Sequence, residues 1–289
     1  MDRTKICAGL ALLFCVACSR PHRVIVASKN FSEQLILGEI IAQHLEKELG
    51  QPVTRKLDLG GTLLAHQAIL NGQIDLYPEY TGTALTSVLK RPIAANPDTV
   101  LSTVRAGYRQ WNLEWLDPLG FNNTFAMVIR KQDADDRKIA TLTEAARYSE
   151  GWKLGVGYEF VQRPDGLAGL MQTYGLPVKG SVKTMDLGLL YQALEQKQVD
   201  MVAANATDGL LSVNPVVALE DDRHYFPPYQ AAIVVRSGSL QEYKGLREAL
   251  AKLSGRFTTP MMQKLNYQLD GKHRPIRDIA REFLEGKKK

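Results

Sequence analysis

The sequence predicts an exported α/β chain built as two lobes of similar design, and three observations predict it. Strand-like and helix-like runs alternate from residue 23 onward, the pattern of mostly parallel sheets flanked by helices. A stretch of helix, turn and strand recurs without a gap 125 positions later, at half-chain spacing. The N-terminus reads as a leader removed before the rest folds.

The leader comes first in the chain. Arg3 and Lys5 make a short basic region, and Ile6 to Ala17 follow without a charge. A helix needs about twenty apolar residues to cross a bilayer, so this shorter run fits a signal peptide over residues 1–17. It ends in Cys15-Val16-Ala17-Cys18-Ser19, which resembles a bacterial lipobox. That resemblance implies a diacylated Cys18, a lipidated linker over 18–22 and a membrane-anchored, extracytoplasmic protein, periplasmic or at the cell surface. Cys15 stands where such boxes usually carry Leu. Cys7, Cys15 and Cys18 are the only cysteines, so the mature domain has no disulfide, thiol nucleophile or cysteine metal site. Roughly 270 remaining residues are enough to bury a core without such staples. The formal charge of +5 falls to +4 without the leader, and Lys287-Lys288-Lys289 supplies three of those. The body is near neutral and shows no basic stripe for nucleic acid.

Arg23 to Ser28 is a β-rich run. A helix from Ser32 to Leu49 follows, with Ser32 as its expected N-cap and Gly50 as its stop. Val53 to Leu59 reads as a strand, Thr62 to Asn71 as a helix closed at Gly72, Ile74 to Tyr77 as a strand and Asp98 to Asn112 as a helix. The second half repeats the theme. It has strands over Lys153–Tyr158, Val182–Met185 and Val199–Ala203, and helices over Asp165–Tyr174 and Leu189–Gln196. From Leu240 to Glu285 the chain looks helical, with breaks at Gly255, Pro260, Gly271 and Pro275.

The repeat aligns Leu64–Leu76 with Leu189–Met201, with identities at Leu64, Gln67, Ala68, Gln73 and Asp75. Each copy is a helix, a tight turn and an Ile/Val-Asp strand start. Any two αβ units share some of this pattern, but the half-chain spacing points to two lobes with a hinged cleft between them, where small ligands commonly bind.

Enzyme signatures are missing: there is no Gly-x-Ser-x-Gly elbow and no P-loop. The five histidines are scattered, none pairing at the i,i+4 spacing of a zinc site, and His66 reads as a surface or cap residue. No cofactor is implied. Aromatic residues instead gather near the ends of expected strands, where an α/β cleft opens. They are Tyr77, Tyr80, Phe121, Phe125, Tyr158, Tyr225, Phe226 and Tyr229. A methylated ammonium has no N–H to donate, and ring faces hold its charge by about 0.5–2 kcal/mol each.

Four blocks carry a family resemblance: Ser28-Lys29-Asn30-Phe31-Ser32-Glu33-Gln34, Gly60-Gly61-Thr62, Asp75 through Thr83 (Asp-Leu-Tyr-Pro-Glu-Tyr-Thr-Gly-Thr), and Phe226-Pro227-Pro228-Tyr229. Together they resemble the glycine betaine/carnitine/choline-binding proteins of osmoprotectant ABC importers. The resemblance implies a two-lobed type II periplasmic-binding-protein fold with two crossovers, in which 23–123 and 230–289 form lobe 1 and 124–229 form lobe 2. It implies a quaternary amine as ligand, an ABC permease with a separate ATPase subunit as partner, and a monomer that is not itself an enzyme. The expected ligand contacts are Lys29, Asn30, Tyr80, Thr83, Phe125, Asn205 and Tyr229, which the resemblance and its blocks imply, and Tyr158, taken from its place at the end of an expected strand. Ala84 and Asn205 depart from the pattern, since relatives often place a polar contact and a third cage tyrosine there. Those departures keep open a receptor for a different cationic or zwitterionic solute; a sensor for a membrane signalling partner and an enzyme on the same scaffold stay open beside it.

Overall fold

The computed structural model describes residues 23–148, 150–177 and 182–286. The expected leader, Cys18 with its linker and the terminal lysines lie outside the described residues. The first half runs β1 (Ile25–Ala27), α1 (Ser32–Leu49), β2 (Thr54–Lys56), α2 (Thr62–Leu70), β3 (Leu76–Tyr80), α3 (Thr81–Thr83), α4 (Pro97–Tyr108) and β4 (Leu113–Trp115). The second half holds β5 (Phe125–Arg130), α5 (Lys131–Arg137), α6 (Leu142–Tyr148), β6 (Leu154–Val156), α7 (Tyr158–Gln162) and α8 (Leu167–Tyr174). It continues with β7 (Lys183–Thr184), α9 (Leu190–Glu195), β8 (Met201–Asn205) and β9 (Val216–Ala218). The chain then returns through β10 (Ala231–Arg236) to α10 (Ser237–Glu242), α11 (Leu246–Ala251), α12 (Thr259–Asp270) and α13 (Ile276–Leu284).

Two five-stranded sheets form, ordered β2-β1-β3-β10-β4 and β7-β6-β8-β5-β9. In each, four strands point one way and a single crossover strand, β10 or β5, runs against its two neighbours. The expected two-lobed α/β architecture is therefore present. The four strands that the βα alternation did not reveal are β4, β5, β9 and β10.

The repeat is structural. Gly72 and Lys197 both take the left-handed conformation, at φ 68° and 57°. Gln73 and Gln198 then donate to the carbonyls of Ala68 and Ala193, each at 2.9 Å. Asp75 accepts from the Ile25 N–H at 2.7 Å and Asp200 from the Lys153 N–H at 2.9 Å. Each aspartate also pairs with the arginine that ends the crossover strand of its sheet, Arg236 or Arg130. One sequence unit thus ties three strands together in both lobes.

α1 lays Ile36, Leu37, Ile40, Ile41 and Leu45 into the core; burying one such side chain stabilises the fold by about 1.5–3 kcal/mol. It stops at Gly50, whose φ of 65° suits a residue without a Cβ. Phe31, not Ser32, occupies its N-cap position, and no side chain caps it; the Ser32 hydroxyl is spent on Asp270 instead. Pro260 does not break a helix but sits in the first turn of α12, where its missing N–H costs nothing. His66 is buried, with its ring edge-on to Tyr108 at 5.3 Å and Trp111 at 4.8 Å. Its apolar ring faces gain more from that packing than from water, and burial lowers its pKa.

The largest apolar cluster includes Val26 and Ile233 of the first sheet, Phe226 and Tyr229 of the return crossover, and Ile129 and Leu154 of the second sheet. α12 reinforces the join, because Gln263 and Asn266 donate to the carbonyls of Ala206 and Thr207 beyond β8. No helix among the described residues is long and apolar enough to cross a membrane.

Candidate functional site

The loops after β1, β3, β6 and β8 and both crossovers converge between the sheets on a cavity of about 460 Å³. All eight ligand contacts named from sequence line it: Lys29, Asn30, Tyr80, Thr83, Phe125, Tyr158, Asn205 and Tyr229. Tyr158 opens α7 rather than ending a strand, and stands exposed at the mouth. Ala84 does not line the cavity. It is buried in a π-helical turn after α3, within the cluster that holds Tyr77 and Val104.

Alternation along β3 separates the other aromatic candidates. Leu76 and Tyr80 belong to one apolar cluster and Tyr77 to the opposite one, which puts Tyr77 in the core against Tyr108. Phe121 packs on Phe257, and Tyr225 and Phe226 pack on each other. None of Tyr77, Phe121, Tyr225 and Phe226 reaches the cavity lining.

Two buried cations face the cavity, each neutralised by the protein. Lys29 Nζ lies 2.6 Å from Glu79 Oε1 and 4.8 Å from the centroid of the Tyr80 ring. Arg163 forks onto Asp165, with Nε to Oδ1 at 2.9 Å and Nη2 to Oδ2 at 2.6 Å. Its Nη1 crosses to Thr83 Oγ1 at 3.1 Å. The guanidinium sits 5.2 Å from the Phe125 centroid and 5.7 Å from that of Tyr229, and the Tyr229 hydroxyl donates to Asp165 at 2.6 Å. Burial opposes the charge on Arg163, but Asp165 restores it and raises the pKa. Burial also raises Tyr80 and Tyr229 well above the usual phenol range, so both remain neutral donors.

The rings gather in two groups. Phe31 stacks with Tyr80 on the first lobe; Phe125 meets Phe160 and Tyr229 edge-on at 4.8 and 5.6 Å. Phe31, Glu159, Phe160, Arg163 and Asn123 line the cavity without having been singled out as contacts from the sequence. Arg163-Pro164-Asp165 carried the available signal, a cation and an anion two residues apart with a proline between them. Glu159 reaches across the cleft, where its Oε1 accepts from the Thr62 N–H at 2.8 Å. α2 has Gly61 at its N-cap and no side-chain cap of its own, so the opposite lobe supplies one.

A second cavity of about 470 Å³ adjoins the first, and Phe31, Asn123 and Asn205 line both. Its lining includes Glu33, Asp208 and Asp270. Glu33 accepts from the Tyr80 hydroxyl at 2.6 Å, Asn123 Nδ2 at 2.9 Å and Asn266 Nδ2 at 3.2 Å. Burial raises the Glu33 pKa and pushes Asp208 up to about 7. Among the described residues, no three His, Cys, Asp or Glu side chains are grouped to hold a metal ion.

Residues 22–286 match the OpuAC family model, described as the substrate-binding domain of the ABC-type glycine betaine transport system. The chain is 36% identical over 264 residues to the ergothioneine transport permease/ergothioneine binding protein EgtU of Helicobacter pylori strain G27. That match covers 91% of this chain but only 47% of the relative, so the chain spans about half its length. It is 33% identical to a glycine-betaine-binding protein of Pseudomonas aeruginosa PAO1, covering 97% of this chain and 93% of that one. A crystal structure titled glycine betaine/carnitine/choline ABC transporter superposes with a TM-score of 0.76 at 30% identity, covering 91% of this chain and 98% of its own.

Proposed function

Because the chain belongs to the family of substrate-binding domains of ABC-type glycine betaine transport systems, and so is a binding component and not an enzyme, we propose that it captures a small zwitterionic quaternary amine between its lobes. One observation carries the reading. Six rings, Phe31, Tyr80, Phe125, Tyr158, Phe160 and Tyr229, line a cavity whose two buried cations are already paired with Glu79 and Asp165.

Paired in this way, Lys29 and Arg163 add no net charge to the cavity; Glu159 and Asp186, which also line it, favour the ammonium end of a ligand, and the preference for a zwitterion rests on Arg163. The ring faces take the methylated ammonium, which cannot donate a hydrogen bond. Arg163, reaching Thr83 from the other lobe, is placed to share its fork with a ligand carboxylate. The relatives' names agree with this class: glycine betaine, carnitine and ergothioneine are all quaternary amines with a carboxylate. Ligand favours closure to the extent that it contacts the closed state better than the open one.

In this reading residues 23–123 and 230–286 move as one lobe and 124–229 as the other. α12, which contacts both, is the element that closure must accommodate. The closed form docks on an ABC permease whose ATPase is a separate subunit. The protein works outside the cytoplasm as a monomer, held to the membrane through Cys18. Titration calorimetry of the purified protein with glycine betaine, carnitine and choline tests the ligand class. Saturable binding of the two zwitterions, at least as tight as that of choline, is expected. Binding of none of them rejects the reading.

A further inference from the structure

One buried carboxylate outside the ligand cavity gathers donors from three separate segments. Glu33 lies in the first turn of α1 and is 2% exposed; of the two chambers, it lines only the second. Its Oε1 accepts from the Tyr80 hydroxyl at 2.6 Å and from Asn123 Nδ2 at 2.9 Å, and its Oε2 from Asn266 Nδ2 at 3.2 Å. Tyr80 ends β3 and lines the ligand cavity. Asn123 belongs to the first crossover, where its N–H donates to the Tyr229 carbonyl at 3.1 Å. Asn266 lies on α12 and donates also to the Thr207 carbonyl beyond β8 at 2.8 Å. All three donors favour the charged carboxylate, against the burial that raises its pKa.

We propose that Glu33 is a positioning residue of the aromatic cage: it does not meet the ligand, and acts by clamping the Tyr80 ring where the ligand needs it. The inference rests on the quaternary-amine reading for the purpose of that ring, and deepens it. A phenol held only by its stack with Phe31, centroids 6.3 Å apart, is free to rock at its far end. A charge-assisted bond to the hydroxyl removes that freedom. The clamp is itself held, because Asn123 and Asn266 bring two further donors to the same carboxylate. One of those residues sits in a crossover and the other on a helix bonded to the second lobe, so Tyr80 is set relative to the join between the lobes and not to β3 alone. A ring ordered in advance spares the ligand the cost of ordering it on binding.

The test is calorimetry with glycine betaine and carnitine on the purified protein, Glu33→Gln, Tyr80→Phe and the double variant. Glu33→Gln keeps the shape and removes the charge; Tyr80→Phe keeps the ring and removes the hydroxyl. Each single variant is expected to raise Kd about tenfold, between the cost of ordering one side chain and that of losing a charge-assisted bond. The double variant is expected to do no more than the larger single effect. Independent effects that multiply to about a hundredfold in the double variant, or a single variant that binds as tightly as the wild type, overturn the clamp and leave the quaternary-amine reading standing. If Glu33→Gln loses its cooperative melting curve, Tyr80→Phe decides alone: a tenfold loss supports the clamp and an unchanged Kd overturns it. If the wild type binds neither betaine, the quaternary-amine reading falls, and crystal structures of the unliganded wild type and Glu33→Gln judge the clamp. A Tyr80 ring displaced from its stack with Phe31 then supports it, and an unmoved ring overturns it.

Discussion

The Glu159 carboxylate of one lobe accepts a hydrogen bond from the Thr62 N–H, the first residue of helix α2 in the other, at 2.8 Å. α2 lacks an N-cap side chain of its own, and a carboxylate at a helix N-terminus both fills an orphan donor and meets the positive end of the dipole. The bond joins elements that pack on different sheets.

Replacing Glu159 by Ala should therefore weaken ligand binding through closure rather than through contact. A cap is worth about 1 kcal/mol and a charge-assisted bond about 1.5–3, so a roughly five- to hundredfold rise in Kd is expected with little change in Tm. Gly61→Ala should act in the same direction, since its Cβ would run into the Glu159 carboxylate. Calorimetry measures the affinity, and small-angle scattering reports whether ligand still compacts the protein.

Asp165 holds a buried guanidinium and a buried phenol together. Asp165→Ala strands Arg163 without its partner, and breaking such a pair costs about 3–5 kcal/mol. The double variant Arg163→Met with Asp165→Ala should recover part of that loss. Denaturant unfolding of the two single variants and the double variant checks this, and purely additive effects would count against the coupling.

Much of this arrangement was legible in the sequence, and the reasons for the gaps are physical. The Gln-x-Asp repeat was readable because its helix, left-handed turn and strand start are local structure, although the partners of Asp75 and Asp200 lie far off in sequence. β5 and β10 were not, although Phe125–Arg130 and Ala231–Arg236 are continuous apolar runs ending in arginine. Such runs do not declare strand or helix by periodicity, and their partners lie far off in sequence. Tyr80, Phe125 and Tyr229 could be placed because strand ends face the cleft. Arg163 and Glu159 could not, because a loop arginine and a first-turn glutamate look solvated until their partners across the fold are known. Tyr77 misled for the opposite reason: β3 runs on to Tyr80, and alternation turns Tyr77 inward.

Stability should depend on pH through Asp208. Its folded pKa is raised to about 7 from an ordinary 3.8 by burial, so between those values the folded state holds more protons than the unfolded one. Its contribution is most favourable below about 4 and is lost as pH rises through 7. Glu33 and Asp270 act in the same sense, while His44 and His66, lowered by burial, oppose it below about 6.5. Asp208→Asn should raise Tm at pH 8 and flatten its slope between pH 5 and 8, as followed by thermal unfolding in matched buffers.

Asn205 sits opposite Phe125 in the β5–β8 register and lines both chambers. Asn205→Tyr adds a ring beside the first chamber and narrows the way to the second. One extra ring is worth about 0.5–2 kcal/mol, so glycine betaine should bind roughly three- to thirtyfold more tightly. No gain for glycine betaine in a folded variant would remove Asn205 from the cage.

The most direct test of the account compares glycine betaine with its isostere in which carbon replaces the quaternary nitrogen, titrated against the purified protein. The two share shape and carboxylate and differ only in the positive charge that the rings are placed to hold. The account predicts that the betaine binds at least tenfold more tightly. Equal affinity for the two would contradict capture by aromatic faces and assign the cavity to a ligand recognised by its carboxylate and shape alone.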